Sequence, residues 1–198
     1  MTRKRAPIAK NMPKKFANEL YRLGCSEAHL WLAKATELLK AARLLWQQFL
    51  DDLAVFQKGE QLEEPFVGGP ALMLYGLAVE NLLKAGLAHQ GKAVNGNGAF
   101  GLKSHGLVDL ADQLGLSCTP AEIELLEKLE TFVLWAGRYP IPLVAQDLYP
   151  RNLSTGQHAI HGVSSLDATH VSEIIDKIYA LLPSEEEAVL RYVDSYRA

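Results

Sequence analysis

The chain has 198 residues, 48% of them hydrophobic, which is enough to bury one full core. Its net charge of −3 excludes a uniformly basic nucleic-acid binder. The most apolar run, Ala71 to Val79, stops at Glu80, well short of the ~18 residues of a membrane span.

Charge is unevenly spread. Residues 1–18 carry six of the 20 basic residues and no acid, which leaves 14 basic against 23 acidic residues for the body. The basic start has two readings: an arm that finds phosphates, or a solvated flexible segment. No apolar core follows it, so it does not read as a secretory signal. Cys25 and Cys118 are too few and too far apart for a zinc knuckle or a disulfide framework, and a cytoplasmic location is expected. The expected division is a basic flexible segment over 1–24 and one helical domain over 25–198.

Helical periodicity dominates the rest. Ser26 is placed as the cap of a first helix running to about Gln57, with Leu30, Leu38, Leu45, Leu50 and Leu53 on its apolar face. Gly59 and "QLEEP" end it. A second helix starts near Pro70 and reads "ALMLYGLAVENLLKAGLAHQ" up to Gly91. It is apolar nearly all round, which predicts a central, buried element. The "GLAHQGKA" within it nearly spells a phosphate-binding loop. It lacks the Ser or Thr at Ala93, and it ends a helix where such a loop should begin one. A glycine-rich loop over 91–104 follows.

"SHGLVDLADQLG" predicts a short helix from about His105 to Leu114. Ser104 is its expected cap and Gly115 its stop. "TPAE" opens the next helix, with Thr119 and Glu122 as a capping box and Pro120 in the first turn. Gly137, Pro140 and Pro142 end it. A loop over 143–164 leads to a helix over 167–182. "PSEEE", with Ser184 and Glu187, opens a last one. There is no alternating strand pattern, so the expected class is all-α, a bundle of about five to six helices.

Several residues carry chemistry in this frame. Glu80 and Lys84 stand four apart on the most apolar helix, either as an ion pair or as part of a polar site between helices. His105 reads as a structural anchor for its short helix. Arg151 and His158 are separated by six residues, with Asn152 after the arginine. Arginine can hold a phosphate and histidine can move a proton, so the string allows metal-free RNA cleavage; the alternative is a solvated loop. His158, His161, Asp167 and His170 fit no strong metal spacing, and neither a metal nor a cofactor is expected.

The succession of "GLAVENLLKAGL", a glycine-rich loop, "SHGLVDLADQLGL" and a helix ending "WAGRYP" resembles the HEPN (higher eukaryotes and prokaryotes nucleotide-binding) superfamily, over roughly residues 25–182. The resemblance implies a helical bundle, often dimeric. Many members are metal-independent endoribonucleases in toxin–antitoxin or phage-defence systems, and others are binding or dimerisation modules. The family motif is Arg, a polar residue, then His after four to six residues. Arg151, Asn152 and His158 fit that string, but in a loop holding Pro150 and Gly156, whereas the family motif usually sits at or within a late helix. Glu80 matches the acidic position of the family's buried helix, with Lys84 beside it, and Arg138 and Tyr139 match its "RYP" ending. With the Arg/His pair displaced into a loop, the expected reading is a non-catalytic binding and dimerisation module that recognises a nucleotide, RNA or protein through a groove near Glu80, Arg138 and the 143–164 loop, with Lys84 and Tyr139 among its binding residues. Its alternative is a metal-independent endoribonuclease using Arg151, Asn152 and His158. A homodimer, an RNA or nucleotide ligand and an antitoxin-like protein partner are expected, and no membrane partner.

Overall fold

The computed structural model describes residues 13–95, 100–139, 151–152, 158–159 and 162–182. The protein is an all-α bundle. Its helices are α1 (Lys14–Ser26), α2 (Ala28–Gln57), α3 (Gly68–His89), α4 (Leu107–Leu114), α5 (Pro120–Thr131) and α6 (Asp167–Tyr179). The expected helix opened by "PSEEE", with Ser184 and Glu187, lies outside the described residues.

Helix α3 is the centre, as its all-round apolarity predicted. Leu72, Val79, Leu82, Leu83 and Leu87 are fully buried. Its length and composition would suffice to cross a bilayer, yet 78% of its most apolar window is buried inside the protein. The apolarity therefore serves the core. Helix α2 packs along α3 through Ala35, Leu39, Ala42, Trp46 and Phe49, a single face at alternating steps of four and three residues. Close approach needs a residue without a side chain at Gly76. A Cβ there would lie 2.6 Å from Val133 Cγ2 and 3.1 Å from the Leu129 carbonyl, so α5 crosses α3 almost backbone to backbone.

The first helix differs from expectation. Residues 14–26 form a helix of their own, and the chain turns at Glu27, which is extended (φ −84°, ψ 104°). Ser26 does not cap α2. Its hydroxyl donates back to the carbonyls of Arg22 and Leu23 and so closes α1. The Trp31 indole N–H donates to the Cys25 carbonyl at 3.1 Å and holds the corner.

The start of α4 is also corrected. The helix begins at Leu107, and Gly106 occupies the cap position without a side-chain hydrogen bond. Ser104 Oγ accepts the Gly106 N–H, a turn within the preceding loop, so His105 lies just outside the helix. The free first-turn donor of Val108 is instead met by Glu130 Oε1 from α5, at 3.0 Å. Gly115 ends α4 in the left-handed region (φ 81°), as expected.

Helix α5 opens on the expected box: Glu122 N–H donates to Thr119 Oγ1, and Glu122 Oε2 accepts the Thr119 N–H. Its end widens into a π-helical turn, Phe132–Ala136, before Gly137. Helix α6 stops at Tyr179, short of the expected 182. The predicted loop over 143–164 contains a two-residue antiparallel ladder, Arg151–Asn152 with His158–Ala159. So short a ladder leaves no alternating pattern to read.

Burial of the Glu130 carboxyl raises its pKa, against the hydrogen bonds from Val108 and Leu107 and with the help of Glu127 and Asp109. A raised folded value means that stability from this group is present below the ordinary carboxylate range and is lost as pH rises through the folded pKa. Glu122 behaves oppositely. Partial burial pushes it up, but hydrogen bonds from Lys177 and Thr119 outweigh that and hold it low, so its contribution is lost on acidification. Glu130→Gln keeps an acceptor for Val108 without the buried charge. It should leave the thermal midpoint at neutral pH equal to or above wild type and remove the gain on mild acidification, as followed by thermal unfolding across a pH series. A lower midpoint at neutral pH would show that the anionic cap outweighs its burial.

Candidate functional site

A polar network sits in the most apolar part of the bundle. Glu80 and Lys84 occupy successive turns of α3, and only 5% and 4% of their surfaces are exposed. Lys84 Nζ donates to Glu80 Oε1 at 2.7 Å. The other carboxylate oxygen, Oε2, lies 3.0 Å from His105 Nδ1. A carboxylate already paired with an ammonium only accepts, so Nδ1 carries the proton of this contact. Trp31 and Phe100 flank the lysine: their ring centroids are 5.7 and 6.0 Å from Nζ. The two rings stack on one another at 5.6 Å with an interplanar angle of 11°.

Each member comes from a different segment. Trp31 belongs to the first turn of α2, beside its hydrogen bond to Cys25. Phe100 returns from the glycine-rich loop, where it bridges Val94. His105 stands in the loop before α4, and its side chain is 57% exposed. The imidazole thus spans the boundary between a buried carboxylate and solvent. Such a group can anchor a loop, and its outer nitrogen can accept a hydrogen bond from a ligand.

The other predicted binding residues are elsewhere. Arg138 and Tyr139 follow the π-helical turn. The Arg138 guanidinium donates to the Leu134 carbonyl and lies 5.5 Å from the Tyr139 ring. Their neighbour Gly137 abuts Gly69 and Met73 at the start of α3. Glu80 is seven residues further along that helix, roughly 10 Å away. No hydrogen bond or ion pair joins Arg138 or Tyr139 to Glu80 or Lys84 among the described residues, and most of the 143–164 loop expected to complete their groove lies outside them.

For Arg151, Asn152 and His158 the backbone register alone is described: Asn152 lies opposite His158, and Arg151 opposite Ala159. Asp167, one of the four residues with no strong metal spacing, accepts two contacts from Lys128 Nζ (2.9 and 2.7 Å) and one from the Ser164 N–H (2.8 Å). His170 is exposed on α6, and His161 is outside the described residues. Among the described residues no group of three or more His, Cys, Asp or Glu could hold a metal. Burial raises the Cys118 thiol pKa, with the Glu122 carboxylate adding to it and Lys177 opposing it, which makes this cysteine a poor nucleophile.

Sequence reasoning missed one surface. A groove of about 550 Å³ lies between α2 and the end of α6, lined by Thr36, Leu39, Lys40, Arg43, Leu44 and Tyr179. Lys40 and Arg43 stand one turn apart and both are exposed. Beneath them burial raises the Tyr75 phenol, and the nearby Arg43 charge opposes that rise. The signal was present in "LLKAARLL" as two cations on one face of an otherwise acidic body. Periodicity alone assigns such residues to a solvated face. Comparison of the chain with protein-family models, with curated proteins and with solved structures finds no match in any of the three.

The network makes unequal demands on its members. Lys84→Met leaves a buried carboxylate without its main partner and should lose about 3–5 kcal/mol. Adding Glu80→Leu to Lys84→Met should recover part of that loss. His105→Ala removes one hydrogen bond at the surface and should lose about 1 kcal/mol. Urea unfolding of the four proteins measures all three effects. An unchanged stability for His105→Ala would remove the anchoring role.

Proposed function

We propose that this chain is a non-catalytic, HEPN-like binding and dimerisation module for a nucleotide, an RNA or a protein partner. The observation that carries the ligand part is the groove between α2 and α6. Its size suits a small ligand or one or two nucleotides. Lys40 and Arg43 supply phosphate-binding charge, Thr36 a hydroxyl, and Tyr179 an aromatic ring at the rim. The body outside the basic N-terminal segment is acidic, so a paired cation site on α2 works against the general field and is the sort of local exception a phosphate needs. His105, held from below by Glu80, offers a second polar handle on the bundle surface. The bacterial defence or stress setting and the homodimer rest on the HEPN resemblance.

A direct test is titration of a short fluorescent single-stranded RNA, with nucleoside phosphates as competitors. Lys40→Glu/Arg43→Glu should weaken binding about tenfold or more and lower the slope of log affinity against log salt by about 1.4, the value for two lost phosphate contacts. Both side chains are exposed, so the thermal midpoint should hold. Equal affinity of variant and wild type would remove the groove from the reading. Light scattering on a sizing column tests the dimer, and a clean monomer at tens of micromolar would count against that half.

A second reading, a metal-independent endoribonuclease, draws support from the ladder that sets Arg151–Asn152 beside His158–Ala159. In it His158 moves the proton, Arg151 stabilises charge on the phosphate and Asn152 orients the pair. Incubation with structured and single-stranded RNA in excess EDTA, beside His158→Ala, separates the two readings. Cleavage by wild type alone, leaving 2′,3′-cyclic phosphate ends, puts the enzyme first. Equal background from both proteins eliminates His158 as the catalyst.

A further inference from the structure

We propose that α1 is a membrane-surface helix that lays Phe16, Leu20 and Leu23 into the headgroup boundary of a bilayer rich in anionic phospholipid. The three residues fall at i, i+4 and i+7 of a 13-residue helix, so they form one stripe. All three face solvent, at 51%, 47% and 52% exposure. Within α1 the one buried residue among those described is Cys25, at the corner held by Trp31. The helix is therefore anchored at its C-terminal end, and about half of the surface of each stripe residue remains open to solvent. A helix this short is marginal in water without a surface to pack on.

Charge decides among the surfaces that could cover it. Residues 1–26 carry seven of the chain's 20 basic residues and one of its 23 acidic ones, which leaves 13 basic against 22 acidic in the remainder. Pairing α1 with α1 of a second copy would set two strongly basic segments side by side, and like charges oppose that contact. RNA would satisfy the cations but leave Phe16, Leu20 and Leu23 in water. An anionic bilayer satisfies both, because its headgroups attract the basic segment and its acyl boundary takes the apolar stripe. The helix geometry suits this placement. Lys15 and Arg22 lie within about 20° of each other around the axis and roughly opposite Leu20, so they can remain at headgroup level. The sequence expectation of no membrane partner rested on the lack of a span, and a surface helix needs none.

The test uses the full chain with sedimented vesicles of phosphatidylcholine alone or mixed with phosphatidylglycerol. Wild type should pellet with the mixed vesicles and far less with the neutral ones, and added salt should weaken binding. Leu20→Glu/Leu23→Glu should lower the partition about tenfold or more while the thermal midpoint of the bundle holds. Lys15→Glu/Arg22→Glu, which leaves the apolar stripe intact, should lose the preference for anionic lipid. Failure of wild type to bind mixed vesicles at low salt would overturn the proposal. So would undiminished binding by the Leu20/Leu23 variant. Dimers dissolved by Leu20→Glu/Leu23→Glu without vesicle binding would assign the stripe to a second copy. RNA binding lost in Lys15→Glu/Arg22→Glu without vesicle binding would assign the helix to RNA. Both outcomes exclude the membrane.

Discussion

A buried ion pair sets the terms for this bundle. Glu80 and Lys84 sit on the central helix, which is buried on nearly every side, where a lone charge would be strongly disfavoured. The pair is tolerable because each member has further partners. Glu80 is closed by His105 on its second oxygen, and Lys84 is covered by Trp31 and Phe100. These partners come from α2, from the glycine-rich loop and from the approach to α4. The pair therefore does more than survive in the core. It ties three neighbouring segments to α3 and fixes which face of α3 each one meets. Hydrophobic burial alone would not do this, because α3 is apolar all round and offers no preferred face.

Around that centre the remaining polar contacts work between elements. Glu130 of α5 supplies the cap that α4 lacks in its own sequence. Lys128 of α5 closes the buried Asp167 at the start of α6, and Lys177 of α6 reaches back to Glu122 at the start of α5. The starts of α4 and α6 are thus completed by α5, which helps to fix their position as well as their burial. The consequence for function is that two pairs of exposed cations stand on the outside of the bundle: Lys40 and Arg43 over the α2–α6 groove, and Lys15 and Arg22 on α1. The acidic residues of the body leave these patches as local exceptions, which is what makes them candidates for anionic ligands.

The sequence by itself determined the class, the central helix and most boundaries. An apolar run with no polar face has to be buried, and that placed α3. Thr119, Pro120 and Glu122 specify a helix start through local hydrogen bonds and a fixed φ, and Gly115 specifies a stop through its left-handed backbone; all of these act within a few residues. The Glu80–Lys84 pair was legible for the same reason, since i and i+4 share a helix face. What the sequence misplaced were ends governed by competing partners. Ser26 can cap a following helix or close a preceding one, and its hydroxyl chose Arg22 and Leu23. Ser104 and His105 looked like a cap and a first turn, but the donor at Val108 found Glu130 instead. Only the tertiary structure decided the Val108–Glu130 contact, the His105–Glu80 bond, the groove at Lys40 and Arg43, and the exposure of the α1 stripe. The physical reason is that each depends on groups brought together, or kept apart, across more than twenty residues of chain or between separate helices, and helical periodicity states which face a residue occupies without stating what that face meets.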